Sequence, residues 1–241
     1  MSLSLCKGSP LHKSPNGRFM TALLSRLGGL LLVLLVFIPI NLAIAQEPPV
    51  DLRTFVTTLY FHGLPYAKAH AYGPQAVPAL VVMLKDSSLE PHWTNIVATL
   101  GCIEDASAVQ PLIDFMKRQQ GEVSVDVFRA SLSVLPALGQ IAYGGNAEAL
   151  KIIMDFAVPG AYKSYGIGFT YGRYHGTALA DVLMSMDIMA LGVSGRAEAL
   201  TLLNEMLNDQ SLLKWRENLT QAIGDNVKMR DLGPTEVFKQ S

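Results

Sequence analysis

Cysteine is almost missing from this sequence: Cys6 and Cys102 are the two in 241 residues. A chain shortened past its apolar N-terminal run keeps Cys102 alone, which excludes an intrachain disulfide framework and a cysteine-rich zinc site. Charge is scarce too, at 16% against 50% hydrophobic residues. That balance leaves apolar material for a sizeable core in one or two domains. Residues 1–45 hold Lys7, Lys13, Arg18 and Arg26 and no acid, so the rest carries 15 basic against 20 acidic residues, about −5. A mildly acidic body argues against nucleic acid, whose phosphates favour a basic face. No segment alternates apolar and polar residues clearly enough to read as a strand. His-Glu-x-x-His and Gly-x-Ser-x-Gly are both absent, and no two histidines stand three or four apart. A metal site would have to be assembled from distant positions, so no metal, cofactor or catalytic residue is expected.

One long apolar run is present. Leu27 to Ile40 follows Arg18 and Arg26 and leads to Ala43-Ile44-Ala45 before Gln46. A basic start, a short apolar centre and a small-residue exit make a signal peptide over residues 1–45, with Met20 as an alternative start. The competing reading is an uncleaved anchor. The run is short for a hydrocarbon core that needs about 20 apolar residues. The expectation is an exported chain, periplasmic or extracellular, meeting a membrane only through this leader. Residues 46–50 contain Pro48-Pro49 and read as an extended linker.

The body repeats itself. Leu100-Gly101 with Leu112, Leu138-Gly139 with Leu150, and Leu191-Gly192 with Leu200 mark three copies of one pattern. Each reads as a helix end, a turn and the next helix start, with Gly101 closing its helix. Apolar stripes at i, i+3, i+4 and i+7 support helices around them: Leu52 to Leu59, Val77 to Leu84, Trp93 to Leu100, Val109 to Met116, Val127 to Ile141, Leu150 to Met154, Leu183 to Leu191, Leu200 to Leu207, and a last helix through Ile223 ended by Gly224. Short helices joined by short turns suit antiparallel pairs, and stacked pairs bury stripes that no pair covers alone. The fold expected over 51–225 is therefore all-α, an α-solenoid of stacked antiparallel helix pairs, with 226–241 as a frayed tail.

Ala76-Val77-Pro78-Ala79-Leu80 and Ala108-Val109-Gln110-Pro111-Leu112, the second after Leu100-Gly101 and Asp105, resemble the HEAT-repeat pattern of bacterial short-repeat proteins. The resemblance spans roughly 67–225 and departs from the pattern at Gly144-Gly145 and in the long interval before Leu200. It implies a HEAT-like solenoid, and for function a non-enzymatic scaffold that binds another protein or peptide. A minority of such proteins, similar to the phycobilin lyases, implies the alternative of a ligand-handling enzyme or chaperone.

The long interval holds residues 159–176, rich in aromatics and glycines, with two basic residues and no acid. A loop of this length inside a compact array is uncommon and often functional. Tyr162, Tyr165, Phe169, Tyr171, Arg173, Tyr174 and His175 are the candidate partner-binding residues, tyrosine and arginine being enriched in binding hot spots. The alternative is a loop that buries its aromatics over the helix ends. Gly166-Ile-Gly168 follows no expected strand and does not read as a phosphate loop. Cys102 reads as a small buried apolar residue and His92 as a helix-start residue. Ser211-Leu-Leu-Lys214 reads as a helix start without the companion motifs of penicillin-binding enzymes. Asn218-Leu-Thr220, a glycosylation sequon, falls within an expected helix.

Overall fold

The computed structural model describes residues 50–61 and 63–239. The leader, Met20, Cys6, His62 and the linker before Val50 lie outside the described residues. What is described is mainly helical, an all-α fold. The helices are α1 (Leu52–Thr57), α2 (Tyr66–His70), α3 (Val77–Met83), α4 (Trp93–Ile103), α5 (Val109–Arg118), α6 (Val125–Tyr143), α7 (Ala147–Phe156), α8 (Gly176–Val193), α9 (Ala197–Asn208), α10 (Arg216–Leu232) and α11 (Pro234–Val237).

Short polar side chains start these elements by accepting the backbone N–H groups that a first turn leaves unpaired, each such cap contributing about 1 kcal/mol. Asp51 accepts from Thr54 N at 3.0 Å, Ser124 Oγ from Val127 N at 3.1 Å and Asn146 Oδ1 from Ala149 N at 2.8 Å. Asp86, Asp105 and Asp209 do the same for the 3₁₀ turns that lead into α4, α5 and α10. Helix α1 is shorter than its stripe predicts. The hydroxyls of Thr57 and Thr58 bond back to Arg53 O (2.9 Å) and Thr54 O (2.7 Å), and Thr58 turns extended. Such side-chain bonds compete with the helical ladder.

The packing follows chain order. Helix α4 lies against α6, α6 against α8, and α8 against α10. Between them, α3 packs on α4, α5 on α6, α7 on α6 and α8, and α9 on α8 and α10. Ile96, Leu100, Leu112, Leu135, Leu138, Ile141 and Ile153 are fully buried, each worth roughly 1.5–3 kcal/mol relative to exposure. Helices α6 and α8 are long and apolar enough to cross a membrane by length and composition, and here their apolar faces meet neighbouring helices.

The repeated glycines differ from their expected role. Gly101 does not close α4; the closing residue is Glu104, left-handed at φ 61°. Gly101, Gly139 and Gly192 sit inside helices at the points of closest approach. A methyl group on Gly101 would stand 2.7 Å from Ala137 Cα. On Gly139 it would stand 2.7 Å from Val193 Cγ2 and 2.9 Å from Ala190 Cα, and on Gly192 3.1 Å from Ala222 Cα. Each glycine of α4, α6 and α8 thus receives an alanine of α6, α8 or α10. Absence of a side chain lets two backbones come together.

Helix α10 passes through Gly224 and ends at Leu232, so residues 226–232 are helix where the sequence predicts a frayed tail. The inward stripe Leu219, Ala222, Asn226, Met229 carries it on. Asn226 Nδ2 donates to Leu191 O (2.9 Å) and Arg196 O (3.3 Å), a polar seam that a search for apolar spacing passes over. Beyond Gly233, α11 lies against α2, with the Phe238 ring 5.5 Å from that of Tyr66. A two-stranded parallel sheet was also not expected: β1 (Gln120–Glu122) pairs with β2 (Gly168–Thr170) in the register Gln120–Gly168, Gly121–Phe169, Glu122–Thr170. Three-residue strands are too short to show alternation.

Candidate functional site

Residues 157–175 connect α7 to α8, and β1 pins them. Gln120 Nε2 donates to Gly166 O at 3.0 Å. The Glu122 carboxylate accepts from Gly172 N at 2.7 Å and from Thr170 Oγ1 at 3.0 Å. Phe169 is fully buried and meets the Phe128 ring edge-on, centroids 6.0 Å apart. Tyr162 is also buried. Tyr165 is half-buried, its ring 4.8 Å from that of Phe156, and its hydroxyl donates to Asp155 at 2.8 Å. Burial, and then the Asp155 carboxylate, push the Tyr165 phenol up to about 12.

The rings of Tyr171 and Tyr174 lie 5.2 and 5.1 Å from that of Phe128 and are half-buried. Arg173 and His175 are exposed, with the guanidinium 5.3 Å above the Tyr174 ring. Positive φ at Gly172 and Gly176 brackets this tip. The seven candidate residues therefore divide. Tyr162 and Phe169 root the loop, and Tyr165 ties it to α7. Tyr171, Arg173, Tyr174 and His175 form its outer edge. Sequence reasoning missed the supporting residues Phe128, Glu122, Gln120 and Phe156; of these, Phe128 stands beside an expected core position in α6.

A second cluster joins α2 to the end of α4. The Tyr66 hydroxyl donates to Glu104 Oε1 at 2.5 Å, and the Tyr66 ring stacks on His70 at 5.5 Å. His70 Nδ1 lies 2.8 Å from Cys102 O. Burial raises the Glu104 carboxyl, opposed by the Tyr66 hydrogen bond and the His70 charge. Burial and then the Glu104 hydrogen bond raise the Tyr66 phenol, so the shared proton stays on Tyr66. Glu104 holds the one positive φ outside glycine among the described residues, a conformation that costs on the order of 1 kcal/mol or more. Beside the cluster lies an open cleft of about 470 Å³ lined by Leu64, Tyr66, Ala98, Cys102, Gln140 and Phe238 among others. Cys102 is 3% exposed, and burial pushes its thiol up to about 12. A thiol in that state is no nucleophile at neutral pH. The cleft has room for a small molecule, and the Cys102 thiol on its wall is not activated for attack.

Among the described residues, the other two histidines, His92 and His175, do not converge with this cluster. His92 occupies the N-cap position of α4 without a side-chain cap bond, and His175 stands at the start of α8. Among the described residues no three His, Cys, Asp or Glu side chains gather as a metal-ligand set. Ser211 and Lys214 lie in the turn before α10, where Asp209 accepts from Ser211 N at 2.8 Å and Lys214 pairs with Asp181 at 2.6 Å.

One buried acid was not singled out from the sequence. Asp187 of α8 is fully buried, and neither carboxyl oxygen has a hydrogen-bond partner among the described residues. Burial raises its pKa well above the ordinary carboxylate value, which favours its neutral form. Its position four residues from both Leu183 and Leu191 puts it on their stripe, a signal the sequence does carry.

No family model and no solved structure matches the chain. Over 138 residues it is 29% identical to a pentatricopeptide repeat-containing mitochondrial protein of Arabidopsis thaliana, covering 56% of this chain and 27% of that protein. The chain thus spans about a quarter of that relative's length. The likeness, together with the helical content, marks the chain as similar to a helical-repeat protein.

Proposed function

We propose that this chain is an exported, HEAT-like α-solenoid that works as a non-enzymatic scaffold, binding another protein or peptide through the outer edge of the 159–176 loop. The solenoid reading is supported by the order of packing and by the glycine seams, where Leu-Gly of one helix receives an alanine of the next. Export rests on the sequence pattern of residues 1–45. The observation that carries the binding role is the construction of the loop. It is held by β1 and by Phe169 and Tyr162, and still presents Arg173, His175 and the outer faces of Tyr171 and Tyr174. A contact surface already fixed in place loses little entropy on binding.

Tyr171 and Tyr174 pack on Phe128, so the clean test alters the exposed tip. Arg173→Glu with His175→Glu should leave the helical circular dichroism intact. Affinity capture from the exported fraction, read by mass spectrometry, should lose the proteins held by the unaltered chain. An unchanged set of captured proteins would refute the role of the loop. The cleft beside Tyr66 and Glu104 favours a second reading, a ligand handler similar to the phycobilin lyases. The high pKa of the Cys102 thiol stands against covalent attachment there.

A further inference from the structure

The glycine seams have a fourth, unfilled member. Thr99-Leu-Gly101, Ala137-Leu-Gly139, Ala190-Leu-Gly192 and Ala222-Ile-Gly224 are the same small-x-Gly element on α4, α6, α8 and α10. The first three glycines are each covered by the next helix, but a methyl group on Gly224 would meet nothing within 4 Å. Gly224 lies at the middle of the outward face of α10, opposite the buried stripe of Leu219, Ala222, Asn226 and Met229. Around it is an open hollow of about 460 Å³ lined by Arg216, Glu217, Thr220, Gln221, Gly224 and Lys228.

We propose that this face of α10 pairs with the same face of a second copy of the chain, the two helices antiparallel and crossing between Gln221 and Gly224. The choice of a second copy rests on self-complementarity. Glu217, Gln221, Gly224 and Lys228 follow one another at steps of four, three and four residues, the spacing of a single helix face. A two-fold axis between Gln221 and Gly224 sets each Glu217 against the other copy's Lys228 and each Gln221 against the other Gly224. Leu232 at the end of α10 and Leu213 in the turn before it are exposed too, at 57% and 50%, and flank this face. A parallel pair would set Glu217 against Glu217 and Lys228 against Lys228. The charges are available for pairing: among the described residues Glu217 holds no ion pair, and Lys228 Nζ stands 4.0 Å from Asp225, at the limit of an ion pair. The face is polar and one helix long, so the pair is weak and concentration-dependent, as small interfaces are. It is also independent of the 159–176 loop.

The test is sedimentation equilibrium of the full chain over a range of concentrations, with circular dichroism to verify folding. The unaltered chain should move from monomer to dimer. Lys228→Glu, at an exposed position, should weaken association by about tenfold, since like charges now face each other at both ends. Adding Glu217→Lys to the same chain should restore it. Gly224→Trp enters open space in the monomer and should abolish pairing by holding the helices apart. A monomer at every concentration would overturn the proposal. Association that none of these variants changes would overturn it too, including association through the apolar run Leu27–Ile40.

Discussion

Glycine at the three covered seams makes a quantitative prediction. Gly139→Ala places a methyl group 2.7 Å from Val193 Cγ2 and 2.9 Å from Ala190 Cα. Real contacts of this kind do not fall below about 3 Å, and one of the obstructing atoms is backbone, so α6 and α8 must part. Overpacking of this kind costs typically about 1–3 kcal/mol. The helix interior gives back about 0.5–1 kcal/mol, the preference for alanine over glycine. The expected net loss is therefore about 1–2 kcal/mol, or a fall in Tm of roughly 3–6 °C for a chain of this size. Gly101→Ala meets Ala137 Cα at 2.7 Å and should cost a similar amount, while Gly192→Ala, with its nearest neighbours at 3.1 Å, should come out near neutral. Gly224→Ala meets nothing and keeps only the helix-propensity gain, so it should stabilise by about 0.5–1 kcal/mol. Thermal and urea unfolding followed at 222 nm, at concentrations where the chain is monomeric, would rank the four. If Gly139→Ala proved as stable as Gly224→Ala, close helix approach would not be the reason for the repeated Leu-Gly, and the row of seams would lose its physical basis.

Two further measurements address the buried titratable groups. The pKa of Asp187 is raised in the folded chain above the unfolded value of about 3.9. Between those two values the native state holds a proton that the unfolded state has lost. The contribution of Asp187 to stability is therefore fully present below about pH 3.9 and is lost as pH rises towards its folded pKa, by at most about 1.4 kcal/mol per unit. Asp187→Asn should flatten that slope in urea titrations from pH 5 to 8, and the near-isosteric Asp187→Leu should raise stability at pH 7; a slope equal to that of the unaltered chain would show that Asp187 ionises freely. For Cys102, with a thiol pushed up to about 12 and 3% exposure, the native Cys6→Ser chain at pH 8 should resist an aromatic disulfide reagent that labels it at once in urea. Rapid labelling of the native chain would return the thiol to the list of candidate nucleophiles.

What was legible in the sequence and what was not follow the range of the interactions concerned. The helices α4 to α9 announce themselves through apolar stripes, and α1, α6 and α7 also through caps three residues long, where Asp51, Ser124 and Asn146 accept from Thr54, Val127 and Ala149. A glycine near a helix end is different, because two physical causes leave the same mark. It can terminate the helix by adopting positive φ, or it can admit a neighbouring backbone. Gly195 and Gly233 do the first, at φ 57° and 77°, and Gly101, Gly139 and Gly192 the second. The discriminating signal was present, but one repeat further on: Ala137, Ala190 and Ala222 each precede the next glycine by two residues, so α6 and α8 each carry both a glycine that receives and an alanine that inserts.

Contacts between distant residues left no such mark. Tyr66 and Glu104 are 38 residues apart, and β1 and β2 pair across 48. Nothing local in Gln120-Gly-Glu122 says that it pins an aromatic loop. That also explains why the seven loop residues were legible as a group but not by role. Composition marks Tyr162 and Tyr174 alike, while only burial in the folded chain decides which ring is root and which is edge. A loop whose aromatics serve first as anchors leaves few side chains over, so on the proposed binding role recognition should depend more on the exposed Arg173 and His175 than on any single ring.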